Sequence, residues 1–205
     1  MLSETFAPLR SLDFITHAFT LRSQDDTRAD AFEEEAIRVS GFNPDHRVTA
    51  EQTHGNGVAV VTEPARRVPA VDGLATRVPG LPLVIRCADC AAVYLIDRAT
   101  PAIALVHSGK AGTLANIAAR AVRAMQEQLG TRPENCLAFI SPSIGPCHYE
   151  MDIWSALERQ LREAGVGELL NPRVCTACHL DRYFSYRAER GKTGRMLAVL
   201  SLTPP

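Results

Sequence analysis

LVIRCADCAAVYLIDRATPAIALVHSGKAGTLANIAARAVRAMQEQLG, residues 83–130, contains three short apolar runs followed by one long amphipathic run. Leu83–Arg86, Ala91–Ile96 and Ala102–Val106 are rich in Val, Ile and Leu and bounded by Gly, Pro or Asp, which predicts strands. Thr113–Leu129 repeats apolar residues at three- and four-residue spacing: Leu114, Ile117, Ala121, Val122, Met125 and Leu129. Arg120, Arg123, Gln126 and Glu127 fall on the other face, so the spacing predicts a helix, and Gly130 ends it. Hairpin-length and helix-length connections occur together. That combination predicts an α/β (α+β) domain with mixed β-sheets flanked by helices.

Working outward, Leu12–Leu21 reads as an opening strand with His17, Phe19 and Arg22 near its end. Asp26 or Thr27 can cap a helix running to about Ser40, in which Glu33, Glu34 and Glu35 leave Phe32, Ala36 and Val39 to pack; Gly41 is its stop. Arg47–Glu51, Val58–Thr62, Cys136–Ser141 and the terminal Arg195–Leu202 read as further strands. Asp152 caps a second amphipathic helix carrying Ile153, Trp154, Leu157, Leu161 and Ala164, closed by Gly165. No repeat or linker interrupts the chain, so residues 1–205 are expected to form a single domain.

The chain's 205 residues, 46% apolar and 22% charged, suit one sizeable core. A net charge of −1 argues against a general grip on nucleic acid or anionic lipid. No run approaches the roughly 18–20 apolar residues that cross a bilayer. Met1-Leu2-Ser3-Glu4-Thr5 lacks the pattern of a secretory signal, and a cytoplasmic protein is expected. The six cysteines are then expected to be reduced. Cys87/Cys90 and Cys175/Cys178 share C-x-x-C spacing, but the pairs stand roughly 85 residues apart against roughly 15–20 in a compact zinc ribbon. A four-thiolate site is disfavoured.

Three residues carry the chemistry: His54 in Gln52-Thr53-His54-Gly55, Cys90 in Cys87-Ala88-Asp89-Cys90, and His107 in His107-Ser108-Gly109. Each lies at the edge of a strand-like run, and each is a zinc-ligand type. One thiolate and two imidazoles leave a tetrahedral position open for water, as catalytic rather than structural zinc requires. Asp89 interrupts two apolar runs. It could orient a ligating histidine, act as an acid or base, or pair with Arg86 or Lys110. Asp72-Gly73-Leu74 reads as a turn. Lys110 adds charge to a glycine-bearing loop that opens a helix, although the P-loop spacing is absent. Ser143-Ile144-Gly145-Pro146-Cys147-His148 reads as a substrate-shaping loop. Cys147 and His148, adjacent on extended chain, should point apart.

His17-Ala18-Phe19-Thr20, Gln52-Thr53-His54-Gly55, Asp72-Gly73-Leu74, Ala88-Asp89-Cys90, His107-Ser108-Gly109, Ser143-Ile144-Gly145-Pro146-Cys147 and Thr193-Gly194-Arg195, taken in order, resemble the multicopper polyphenol oxidoreductase (laccase-like) family. This is the YfiH/FAMIN group, associated with purine nucleoside phosphorylase activity. Cys175-Thr176-Ala177-Cys178 and Phe184-Ser185-Tyr186-Arg187 resemble the family's carboxy-terminal segment. The resemblance implies a YfiH-like fold and one zinc on His54, Cys90 and His107. It also implies phosphorolysis of adenosine, inosine, guanosine and methylthioadenosine, with adenosine deamination.

In that setting Asp89 and Cys90 are the expected catalytic residues. Arg22, Lys110, Ser143, Cys147, His148 and Arg195 are expected to bind nucleoside and phosphate. Several coppers would need about ten His-rich ligands, and six histidines cannot supply them. The family commonly reads His-Ala-Gly-Trp-Arg-Gly where this chain has His107-Ser108-Gly109-Lys110-Ala111-Gly112. An indole and a guanidinium are lost and a lysine point charge stands one position earlier, which bears on substrate preference and rate more than on metal binding. The rival classes are a cysteine hydrolase for cell-wall precursors, with Cys90 as nucleophile and His107 as base, and a nucleoside-binding protein without turnover.

Overall fold

The computed structural model describes residues 3–23 and 30–204. Strands β1 (Ser3–Glu4), β2 (Ile15–Thr20), β3 (Val48–Ala50), β4 (Val58–Val60), β5 (Ala65–Val68) and β6 (Gly73–Thr76) lead to the central stretch. That stretch supplies β7 (Leu83–Cys87), β8 (Ala91–Asp97) and β9 (Ala102–Ser108), and β10 (Cys136–Ile140), β11 (Glu168–Leu170) and β12 (Met196–Leu202) follow. The helices are α1 (Ala7–Arg10), α2 (Asp30–Val39), α3 (Lys110–Leu114), α4 (Ile117–Leu129) and α5 (Ile153–Glu163). Among the described residues no helix is long and apolar enough to cross a membrane.

Two six-stranded sheets result, in the orders β1-β2-β12-β7-β3-β5 and β11-β10-β8-β9-β6-β4. Both mix directions, as expected: β12 is antiparallel to β2 and β7, whereas β3 is parallel to β5 and β7. The alternation of side chains explains why the central strands read as unbroken apolar runs. Tyr94, Ile96, Ile103, Leu105, Leu137 and Phe139 point into a core shared with Leu83, Ile85, Met196 and Leu200 of the other sheet. Their neighbours Val93, Leu95, Ala104, Val106, Ala138 and Ile140 pack instead against α4 and α5. Alanines at that second face let α4 approach closely. On the outer face of the first sheet, Val84, Leu197 and Val199 receive Ala36 and Ile37 of α2.

Two helices differ from expectation. The periodic run 113–129 is not one helix: Asn116 takes a left-handed conformation (φ 57°) between α3 and α4, and Leu114 is left 65% exposed rather than packed. In α2, Val39 is exposed, and among the described side chains the buried ones are Glu33, Ala36 and Ile37. Glu33 faces inward because Arg47 and Arg86 meet it there. The caps at Asp26 or Thr27, and the side chain of Phe32, lie outside the described residues. Asp152 caps α5 as expected, accepting the Ser155 N–H at 3.0 Å.

Candidate metal centre and cleft

His107 lies near the end of β9, opposite Ala92 of β8, while β6 pairs with the other side of β9 and sets Gly73 against Val106. Asp72, immediately before β6, therefore sits beside His107, and its carbonyl accepts the His107 N–H at 2.7 Å. Cys90 closes the turn between β7 and β8, where Asp89 reverses the chain in left-handed backbone (φ 81°). His54 follows β3 in the same conformation (φ 62°). Three distant segments thus deliver one imidazole, one thiol and another imidazole with ligand atoms all within 4.8 Å of one another.

Asp72 organises this group. Its Oδ1 lies 2.8 Å from His107 Nδ1 and accepts the His54 N–H at 2.9 Å, while Oδ2 accepts the Gly55 N–H at 2.8 Å. With Nδ1 so engaged, His107 has Nε2 left for a ligand. Burial raises the Asp72 pKa, but the hydrogen bonds from His107, Gly55 and His54 prevail and hold it at about 2. Burial lowers the His107 pKa against the pull of Asp72, which favours the neutral, ligating imidazole. Burial, with Asp89 adding to it, pushes the Cys90 thiol up to about 12. A cation would reverse that, because coordination takes the thiolate form. Gly109 makes the approach possible: a Cβ there would stand 2.7 Å from Cys90 Sγ. The donor set fits a metal with three protein ligands.

The group opens into a cleft of about 850 Å³, within the range of small-molecule sites. Besides the three ligands, its walls include Gln52, Lys110, Tyr149, Tyr186, Arg190 and Arg195. Guanidiniums and rings alternate along the rim: Arg187 lies over Tyr149 at 4.7 Å and Arg195 over Tyr186 at 5.7 Å.

Of the residues expected to bind substrate, Lys110 and Arg195 line this cleft; Arg22, Ser143, Cys147 and His148 do not. Arg22 pairs with Glu189 at 2.6 Å and covers Phe184. Ser143 is buried and accepts the Trp154 indole N–H at 2.8 Å. Cys147 and His148 sit with Cys175 and Cys178, and they do not point apart: a turn brings His148 Nδ1 to 3.3 Å from Cys147 Sγ. Asp89 lines the cleft, yet its two oxygens accept Thr176 Oγ1–H and the Arg187 N–H, each at 2.7 Å. The orienting role weighed for Asp89 falls to Asp72. Sequence reasoning missed that residue, along with Tyr186 and Arg190. The signals at Asp72 were a turn and a place among the motifs of the family resemblance, neither of which gives it a role.

The family model described as multi-copper polyphenol oxidoreductase laccase matches residues 13–152 and 148–203. Among curated relatives, the purine nucleoside phosphorylase SCO2081 of Streptomyces coelicolor is 33% identical over 82% of this chain and 79% of its own length. The purine nucleoside phosphorylase YlmD of Geobacillus stearothermophilus is 30% identical over 75% of this chain and 71% of its own. The crystal structure of the latter superposes with a TM-score of 0.88 at 24% identity, covering 94% of this chain and 93% of that one. YfiH of Bacillus licheniformis gives 0.86 over 92% and 93%. The architecture of mixed sheets and few helices is the one those structures share.

Proposed function

This chain belongs to the multi-copper polyphenol oxidoreductase laccase family, and we propose that it is a zinc-dependent purine nucleoside phosphorylase. The observation that carries this reading is the convergence of His54, Cys90 and His107 at the wall of a cleft that also presents several cations. The chain's relatives bear the phosphorylase name. The His₂Cys donor set favours zinc, which when bound supplies a Lewis acid at an open position.

In phosphorolysis, phosphate forms a bond to the anomeric ribose carbon while the bond to the purine breaks and its electron pair leaves with the base. Arg190, Arg195 and Lys110 offer the positive charge that such an anion needs. Lys110 is shared with Glu150 at 2.9 Å, and Arg195 donates to the main-chain carbonyls of Thr193 and Gly194. Tyr149 and Tyr186 give flat apolar surface for a purine. Asp89 acts through its neighbours, fixing the main chain of Arg187 and the turn that bears Cys90. Adenosine, inosine, guanosine and methylthioadenosine are the proposed substrates, with adenosine deamination as a second activity.

Phosphate-dependent release of free base from those nucleosides, with elemental analysis of the same sample, tests the reading. Turnover and zinc should fall together in His54→Ala and Cys90→Ala. Full turnover by variants that have lost the metal of this centre would overturn it.

One observation favours a second reading. Asp72, His107 and Cys90 stand in the order of an acid–imidazole–thiol triad, as a cysteine hydrolase acting on cell-wall precursors would use. A thiol held up at about 12 with a second imidazole beside it weighs against that. Activity lost to thiol alkylation yet indifferent to chelators would favour the hydrolase.

A further inference from the structure

We propose that Cys147, His148, Cys175 and Cys178 form a second, closed zinc site that fastens one wall of the cleft. Their four ligand atoms all lie within 4.8 Å of one another, and none of them belongs to the His54–Cys90–His107 group. Four of the six pairwise distances lie near the edges of a tetrahedron. Cys147 Sγ and Cys178 Sγ are 3.7 Å apart, and His148 Nδ1 lies 3.3, 3.5 and 3.8 Å from the sulfurs of Cys147, Cys178 and Cys175. Zinc–sulfur bonds of about 2.3 Å and zinc–nitrogen bonds of about 2.0–2.1 Å require edges of about 3.8 Å and about 3.6 Å.

The local backbone suits ligation. Cys175 caps and Cys178 ends a single turn of 3₁₀ helix, Thr176–Cys178, which brings the two ends of the C-x-x-C to one side. The Gly145 N–H donates to Cys175 Sγ at 3.2 Å, a contact that favours the thiolate. Three sulfurs and one nitrogen select zinc over harder cations, and four protein donors leave no open position, so the ion is structural.

The site joins the segment that carries Ile144 and Tyr149 to the segment preceding Tyr186 and Arg187, all four of which line the cleft. Main-chain bonds run between the same segments, Ser143 N–H to Val174 O at 3.1 Å and Thr176 N–H to Ser143 O at 3.2 Å. The C-x-x-C pair at 175–178 thus finds its partners at 147–148 and not at Cys87 and Cys90.

Elemental analysis of the full chain tests this, after loading with zinc under reductant and removal of excess metal. Two zinc ions per chain are expected for the unaltered protein. Cys178→Ser and, separately, Cys147→Ser should each hold one, and His54→Ala should hold one at the other centre, so the two assignments fail independently. Cobalt loading of the unaltered chain should give thiolate charge-transfer absorption of about four sulfurs, falling to about one in Cys178→Ser. Equal metal content in the unaltered chain and both serine variants would overturn the proposal. So would a Cys147–Cys178 disulfide, seen as a loss of two hydrogens by mass, that persists under reductant and excludes zinc.

Discussion

Asp72 Oδ1 stands 2.8 Å from His107 Nδ1 and accepts the main-chain N–H of His54, so one buried carboxylate sets the position of both imidazoles of the candidate metal centre. Asp72→Asn keeps the size of that side chain but loses the charge and half of its accepting capacity. An amide nitrogen cannot accept from Gly55, and the Gln52–Gly55 loop loosens. Partners at this remove typically matter by about 10–100-fold in metal affinity. Competition for zinc against a chelator should show a loss of that size, while circular dichroism stays native.

Gly109→Ala tests the centre from the opposite side. The φ of Gly109 is −95°, so alanine meets no backbone strain there. Its methyl would lie 2.7 Å from Cys90 Sγ and 3.6 Å from His54 Cδ2, and something must move. The expected result is a folded chain that holds little metal at His54, Cys90 and His107. A variant that retains full metal content would show that the sulfur has room the structure does not give it.

How much of this was readable beforehand follows from what each residue's role depends on. His54, Cys90 and His107 were legible because each ends an apolar run with a ligand-type side chain. Asp72 was not: Asp72-Gly73-Leu74 reads as a turn, and its role arises only when β6 pairs with β9 across some thirty residues. The spacing of 113–129 continues smoothly through Asn116, so nothing in the periodicity marks the break that exposes Leu114. The edge strand Ala65–Val68 carries two arginines and shows no apolar run, because an edge needs none. Glu33 looked like surface charge until Arg47 and Arg86 were placed against it. Cys147 and His148 were misjudged through the assumption of extended chain.

Glu33→Ala should cost stability. The side chains of Glu33 and Arg47 are only 6% and 5% exposed, and their Oε1 and Nε lie 3.2 Å apart. Removing one member of a buried pair costs about 3–5 kcal/mol, and Arg47 still has Glu34 and the Pro44 carbonyl, which favours the lower end, about 3 kcal/mol. Denaturant unfolding measures it. Glu33→Leu combined with Arg47→Met should recover most of the loss, since apolar replacement of a whole buried pair is often neutral.

His17 sets a pH dependence of its own. Its Nε2 accepts the Phe6 N–H at 2.8 Å, and Phe6 and Tyr94 crowd the ring. Burial, and then the charge of Arg10, lower its pKa from 6.5 to about 4. The unfolded chain therefore takes up a proton at His17 between those values, and the folded chain does not. Stability from this residue is complete above pH 6.5, falls as the pH drops from 6.5 towards 4, and levels off below 4 once the folded form also protonates. That drop from 6.5 to about 4 corresponds to about 3 kcal/mol at full effect. His17→Gln keeps an acceptor for Phe6 and has nothing to titrate. Unfolding midpoints across pH 7 to 4 should slope for the unaltered chain and run flatter for the variant; parallel curves would assign the slope to other groups.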